Sequence, residues 1–533
     1  MGATAIGTVF AGIGISQIMQ KRQVNLPLLR QAVAQSAGSW VRGRNTSVIA
    51  IHAVVLRTGK ILYIAGSGYH SSTMRGPFRA RLLDLTTGSE TNLSLNEDLF
   101  CCHHVQLPNG NILLAGGTLR YDIDADNCNG KWHGLASTYV FDVSSNTFIR
   151  RRSMAAGRWY PTLVELPDGK VFCIGGYDEY GSFNRLVEIY NSSTDTWSIK
   201  YDPSRTGTYC VGQGQTSCPG AGSPCFGGEN NSTMNLSISL YPRMHLMPSG
   251  LIIMCGMQRS VRSFDPATGR WQTPGATSVY RDYGTSVLMP LQNTSTERGK
   301  IILVGGSPTP SSSGTNTVEI IDFNAGTSSK PVIRTVQSIN RARRFPLPVI
   351  LPNGKIVIFG GVSQGTTSYV YAPEMFDPIR ETWTTLPAAT IPRTYHSVAL
   401  LLSNGSVWTA SGQSSISAQE LRTEIFRPDY YSQTRPTISG QPTVGGYGQS
   451  ITIPTSQAAN INSVSLVRLS SSTHHYDTEQ RLIWLQITNR SSTSVTVSSP
   501  LNAKLAPPGY YMIHILNSSN IPSISRIIKI PGS

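Results

Sequence analysis

One hairpin signal recurs seven times along this chain of 533 residues. It reads LRTGKILYIAG around Gly59, LPNGNILLAGG around Gly110, LPDGKVFCIGG around Gly169 and MPSGLIIMCG around Gly250. It continues as ERGKIILVGG at Gly299, LPNGKIVIFGG at Gly354 and LSNGSVWTASG at Gly405. In most copies two apolar runs meet through a polar residue and a glycine, because the central residues of a tight hairpin turn take positive φ. Four copies are followed by a second hairpin with an aromatic on its return strand: FDVSSNTF, IYNSSTDTW, FDPATGRW and FDPIRETW. A unit of four strands repeating at about 50 residues cannot bury its faces alone and stacks radially with its neighbours.

The expected fold is therefore all-β, with a seven-bladed kelch-type β-propeller over residues 41–425. Independent sandwiches would not produce so regular a repeat. The widest interval, from Gly169 to Gly250, holds TYCVGQGQTSCPGAGSPCFGG, which reads as a loop over one face. After Phe426 the pattern stops. The segments SITIPT, SVSLVRL, LIWLQIT, SVTVSS and YYMIHIL, separated by Pro, Gly and Asn turns, predict a C-terminal Ig-like β-sandwich over 426–533.

Residues 1–40 are set apart as an apolar segment and linker. Ala3 to Met19 is apolar and small, but Lys21 and Arg22 follow it rather than precede it, so it reads as an atypical export signal. Many Asn-x-Ser/Thr sequons, including Asn45, Asn92, Asn191, Asn231, Asn235, Asn293, Asn404, Asn489 and Asn517, also favour a secreted protein. Cys128, Cys210, Cys218 and Cys225 lie in loops and have the makings of two disulfides with open pairing, whereas Cys173 and Cys255 lie on apolar strands. Apolar residues make up 39% of the chain, which excludes disorder, and no later apolar run is long enough to span a membrane. Lys and Arg outnumber acidic residues 44 to 29, but they are scattered. The one dense group, Arg341, Arg343 and Arg344, is short, so no nucleic-acid partner is expected.

The repeat register carries a functional signal. Nine residues before the turn glycines stand Cys101, Tyr160, Tyr241, Phe345 and His396, with Tyr395 beside the last. Equivalent positions in a propeller lie at one height, so these side chains should ring one mouth of the central channel. Taken singly, a buried Tyr, His or Cys is usually core packing. Sharing one register, a thiol, phenols and an imidazole form a metal-ligand set that suits copper(II). The polar segment RLSSSTHHYDTEQR offers a second imidazole at His474 or His475.

With those residues in view, DLFCCHH, RWYPTLVELPDGKVFCIGG, RTYHSVALLLSNG, THHYDTEQR and APPGYYMIHILN together resemble the copper radical oxidases, the family of galactose oxidase and glyoxal oxidase. The resemblance is closer to glyoxal oxidases and covers the chain from about residue 41 onward. It implies one Cu(II) per chain, with Tyr160, Tyr395, His396 and His474 as ligands and His474 supplied by the sandwich. It implies a Tyr160–Cys101 thioether that holds a radical, and Tyr395 as the base. Cys101 is preferred to Cys102 because it follows Phe100 and keeps the register. His474 is preferred to His475 because it follows Thr473. The implied reaction oxidises primary alcohols or hydrated aldehydes and reduces O2 to H2O2, in a chain expected to be monomeric.

The chain also departs from the family pattern. Galactose oxidase stacks a tryptophan over its thioether, eighteen residues after the tyrosine; here that position is Asp178, near Tyr177 and Tyr180, which speaks against galactose. Cys102 is an unexpected second thiol beside the site. No carbohydrate-binding domain is expected ahead of the blades. Asp178, Tyr180, Tyr241, Tyr283 and Phe345 are candidates for the substrate pocket. Tyr283 is paired with Tyr395 by matching RDYGTSVLMP to RTYHSVALLL. Two other readings compete. A non-catalytic kelch propeller that binds polysaccharide or protein would not need Cys101, Tyr160, Tyr395, His396 and His474 together. A propeller glycosidase needs paired carboxylates, and none stands in the inner-strand register.

Overall fold

The computed structural model describes residues 38–68, 76–121, 132–202, 238–308, 312–415 and 418–532, together with the backbone of Tyr209–Cys210 and Cys225–Phe226. The apolar N-terminal segment and the side chains of Cys128, Cys210, Cys218 and Cys225 lie outside the described residues. Among the described residues there is no α-helix, only strands, turns and two short 3₁₀ segments at Asp429–Ser432 and Ala458–Asn460.

Seven antiparallel sheets follow one another, each built outward from an inner strand. The inner strands are His52–Val55, Cys102–Gln106, Thr162–Glu165, Met244–Leu246, Thr285–Leu288, Leu347–Ile350 and Val398–Leu401. Every one of them is fully buried, as expected for strands covered on both faces. The outermost strand of the seventh blade, Ser39–Arg42, comes from the start of the chain and pairs with Glu424–Arg427, which closes the ring. Apolar clusters fill the gaps between blades, such as Leu62, Ile64 and Leu114 between the first and second.

The last hundred or so residues form two further sheets over a shared apolar core of Ile451, Val464, Leu466, Val497, Ile513 and Ile528. Their bond to the propeller is intimate. The hairpin of blade five reaches out to place Leu291–Gln292 parallel to Leu482–Leu485 of the sandwich. That excursion is why the nine-residue register fails at Gly299, where it lands on Pro290. Asn293 in this seam is buried and holds Ser499 and Leu501 (2.9 Å each), so its sequon is closed to a glycan in the folded chain.

In return, the sandwich segment 468–481 runs up the central channel and touches all seven blades. Ser471–Thr473 pairs with the inner strand of blade one. Ser471 Oγ meets His104 of blade two at 2.7 Å, and Arg468 pairs with Glu165 of blade three. Tyr476 Oη donates to the Met244 carbonyl of blade four, and Thr285 Oγ1 of blade five donates to the His475 carbonyl at 2.8 Å. Ile350 N–H of blade six donates to Gln480 (2.5 Å), and Leu401 N–H of blade seven donates to Ser470 (3.1 Å). Arg468 also meets Glu479 (3.2 Å) and the Pro507 and Pro508 carbonyls, which satisfies a fully buried charge that would otherwise be costly.

Candidate active site

The turn register corresponds to a backbone feature. Cys101, Tyr160, Tyr241, Phe345 and His396 all have positive φ, between 45° and 68°, as does Tyr283 at 54°. Non-glycine residues seldom adopt this conformation, and here neighbouring blades enforce it. In three of them the N–H reaches the carbonyl of the one in the blade before: Tyr160 to Cys101 (3.0 Å), Tyr241 to Tyr160 (2.9 Å) and Phe345 to Tyr283 (2.8 Å). These bonds and the shared left-handed backbone aim the side chains at the channel mouth.

Buried arginines brace the loops that lead into the ring. Arg158, Arg281 and Arg343 pair with Glu188, Glu319 and Glu374 at 2.7, 2.9 and 2.5 Å, and all six side chains are buried. The dense group Arg341, Arg343 and Arg344 is thus partly internal framework rather than a basic surface.

At the mouth, five of the expected residues meet. Tyr160 Oη and Tyr395 Oη share a short hydrogen bond. His474 Nε2 lies 3.1 Å from Tyr160 Oη and 3.9 Å from Cys101 Sγ. The His396 and His474 rings are 4.7 Å apart, edge to face. Cys101, His396 and His474 form the one compact group of possible metal donors among the described residues. Both imidazoles are held in a defined tautomer. Thr473 Oγ1 donates to the Ile51 carbonyl (3.0 Å), so it accepts from His474 Nδ1 (2.7 Å) and leaves Nε2 bare. Gln413 Oε1 accepts from His396 Nδ1 (2.5 Å), and His396 Nε2 is buried with no hydrogen-bond partner.

Burial dominates the electrostatics. It pushes the Tyr160, Tyr241 and Tyr395 phenols and the Cys101 thiol well above their usual range. It holds His474 far below the usual imidazole range, with His396 and His52 adding to the effect, and lowers His396 to about 4. The imidazoles are therefore neutral at physiological pH and present lone pairs. Two bare imidazole nitrogens beside two phenols fit a copper(II) ion by the chemistry of the donors.

Two matched regions now bear on kinship. Residues 228–430 match the family described as glyoxal oxidase N-terminus, and residues 435–530 match the galactose oxidase-like early set domain. In both regions the chain is similar to the galactose oxidase and glyoxal oxidase family. A kelch motif is matched at 158–200. Family relatives include galactose oxidase of Gibberella zeae, 29% identical over 81% of this chain and 61% of the relative. The chain thus spans about three fifths of that protein. Aldehyde oxidase GLOX1 of Arabidopsis thaliana is 26% identical over 91% of this chain and 83% of its own length. Aldehyde oxidase GLOX of Vitis pseudoreticulata is 25% identical over 94% and 98%. A solved fungal alcohol oxidase in complex with copper shares the fold, with a TM-score of 0.74, 21% identity, and coverage of 93% of this chain and all of that one.

Measured against the family pattern, the missing tryptophan has a replacement. Trp159 lies 3.8 Å from Tyr160 with the rings 8° from parallel, and Tyr241 covers the opposite face at 4.4 Å. Asp178 is fully buried elsewhere, where its carboxylate accepts the N–H groups of Tyr180 and Ser182 (2.8 and 2.9 Å). Neither Asp178 nor Tyr180 lines the cavity of about 670 Å³ over the site, and Phe345 stands behind it against Tyr395 and His475. Tyr241 and Tyr283 do line it. Cys102 points away, into the apolar cluster between blades one and two.

The cavity wall has a register of its own, which sequence reasoning passed over. Phe100, Trp159, Leu240, Asp282 and Tyr395, each the residue before a ring position, all line it. Reading ten residues before the turn glycines as well as nine finds Phe100, Trp159, Leu240 and Tyr395.

Proposed function

We propose that this chain is a copper radical oxidase that converts primary alcohols to aldehydes, or hydrated aldehydes to acids, with reduction of O2 to H2O2. The observation that carries the reading is the convergence of Tyr160, Tyr395, His396 and His474 beside Cys101, with His396 Nε2 buried and unpartnered. Tyr160, Tyr395, His396 and His474 would hold one copper. The propeller would run two residues beyond the expected 41–425 at each end, through the Ser39–Arg42 and Glu424–Arg427 strands, and the chain after it would form the sandwich that contributes His474. The ion supplies a one-electron acceptor and lowers the pKa of a substrate oxygen.

The chain's own residues do the remainder. Tyr395 Oη, at the floor of the cavity, takes the hydroxyl proton as general base. Tyr160, cross-linked to Cys101, takes a hydrogen atom from the substrate carbon. Two electrons and two protons leave the alcohol and end on O2. Trp159 and Tyr241 cover both faces of Tyr160 and keep water from the radical. Thr473 and Gln413 hold the imidazoles with Nε2 forward. We further propose that the protein is monomeric and works outside the cell. No helix among the described residues is long and apolar enough to cross a membrane.

A peptide map after aerobic copper loading tests the reading. The expected result is a Cys101–Tyr160 peptide short of two hydrogens, resistant to reductant, together with H2O2 release on an alcohol or aldehyde. Free Cys101 and unmodified Tyr160 in copper-replete protein would overturn it, and a non-catalytic binding propeller would take its place.

A further inference from the structure

The cavity over Tyr160 is walled by aromatic rings that continue outward from the site. Trp132 lies 5.1 Å from Trp159 with the planes 9° apart, and Tyr177 lies 5.8 Å from Trp159 at 4°. Phe183, 39% exposed, follows at 4.8 Å from Tyr177. Four planes, from Tyr160 through Trp159 to Trp132 and Tyr177, are thus nearly parallel and form one stacked series running from the reacting phenol toward solvent. Tyr280, 52% exposed, stands at the rim of the same cavity.

Among the described residues, polar side chains on the wall are few. One Arg243 Nη2 donates to the Gly284 and His474 carbonyls (3.0 and 3.2 Å), and Asp282 accepts the Tyr283 N–H (3.1 Å). Apart from phenols, indoles and imidazoles, the polar liners among the described residues are Arg243, whose Nε and Nη1 are buried without a hydrogen-bond partner, Asp282, Gln258 and Ser239. A hexose, with a hydroxyl on nearly every carbon, would find too few partners and would lose hydration without return. A two-carbon dialdehyde fills a small part of about 670 Å³ and reaches none of the outer rings. Binding energy from parts of the substrate remote from the reacting carbon would then go unused.

We propose that the preferred substrates are primary aryl alcohols of benzylic type, with the ring lying along the Trp159–Trp132–Tyr177 wall and the carbinol directed at Tyr160 and Tyr395. This rests on the oxidase reading and names its substrate class. Aromatic faces favour offset parallel stacking at the separations this wall presents, so a flat substrate can continue the series.

The test uses the full copper-loaded chain and first establishes the thioether by mass. H2O2 release is then compared for 4-methoxybenzyl alcohol, methylglyoxal and galactose. The aryl alcohol should exceed the other two in kcat/KM by about 10-fold or more. Trp132→Ala should lower the ratio of aryl alcohol to methylglyoxal by about 10-fold, and Tyr280→Ala, at an exposed position, by a smaller factor in the same direction. Methylglyoxal or galactose at or above the aryl alcohol, or a ratio indifferent to both substitutions, would overturn the proposal and leave the oxidase standing. Absence of both thioether and peroxide would overturn the oxidase reading, and the substrate class with it.

Discussion

Blades three and seven each deliver two consecutive rings to the site, and the two pairs do different work. Trp159–Tyr160 and Tyr395–His396 occupy matching backbone places. The second residue of each has positive φ, and the carbonyl of the first accepts an N–H from its own blade: Tyr177 to Trp159, and Gln413 to Tyr395, both 2.8 Å. In blade three one residue separates Arg158 from the ring position, as it does in blades five and six. In blade seven there are two, because Thr394 is extra.

The guanidinium of Arg393 still meets the Ser411 and Arg422 carbonyls (2.9 and 2.8 Å), as Arg158 meets Gly175 and Leu186. It makes no direct ion pair with Glu424, whose oxygens accept from Thr390 and Ile391 instead. The structural partner of Tyr283 is therefore His396, and Tyr395 matches Asp282. Counting from the arginine pairs Tyr283 with Tyr395, and the extra residue is what makes that count fail. A single inserted residue gives blade seven both a phenol and an imidazole at one site.

The largest effect should come from the two residues that share a backbone place. Tyr395→Phe removes the base while three ligands stay, and kcat for H2O2 release should fall by about 10²–10⁴-fold. Trp159→Leu should cost less than this in kcat but shorten the lifetime of the Tyr160 radical, read by its optical and EPR decay. Equal losses from both would erase the distinction drawn between the blades.

Stability offers the next contrast. Arg158→Met strands a buried Glu188 and should destabilise by about 3–5 kcal/mol in denaturant unfolding. Arg393→Met, with no carboxylate paired to it, loses hydrogen bonds alone and should cost about 1–3 kcal/mol. A reversed order would mean that Arg393 and Glu424 are coupled as strongly as the other pairs.

Blade two lacks the arginine and gives the smallest, pH-dependent effect. Leu99 stands in its place, and the Asp98 carboxylate accepts the N–H groups of Ser67 and Phe100 (2.8 and 3.0 Å). Burial raises Asp98 to about 6, above its unfolded value of about 3.9. The contribution is therefore complete below about pH 4 and lost as pH rises through about 6, a change on the order of 2–3 kcal/mol. Asp98→Asn should flatten the stability profile between pH 4 and 7, and an unaltered slope would assign the titration to another group.

Much of this was legible in the chain itself. The turn glycines announced the repeat, because a tight turn with positive φ leaves few other choices. The residues nine before them named Cys101, Tyr160, Tyr241, Phe345 and His396. Trp159 is equally visible one place earlier, whereas the family spacing of eighteen residues points to Asp178, which instead closes a turn. The register failed at Gly299 because a local count cannot see that the hairpin leaves its blade to join the sandwich.

The sequence by itself determined the blades, the sandwich and the ring of site residues, since turn chemistry and strand alternation act over a few neighbouring residues. Tertiary structure alone decided the rest. It brought His474 up the channel to Tyr160, because that segment is held by contacts to all seven blades. It left Nε2 of His396 bare by setting Gln413 behind Nδ1. It stacked Trp159 on Tyr160 and turned Cys102 into the core. These outcomes depend on groups far apart in the chain, whose meeting is set by how whole blades close on one another.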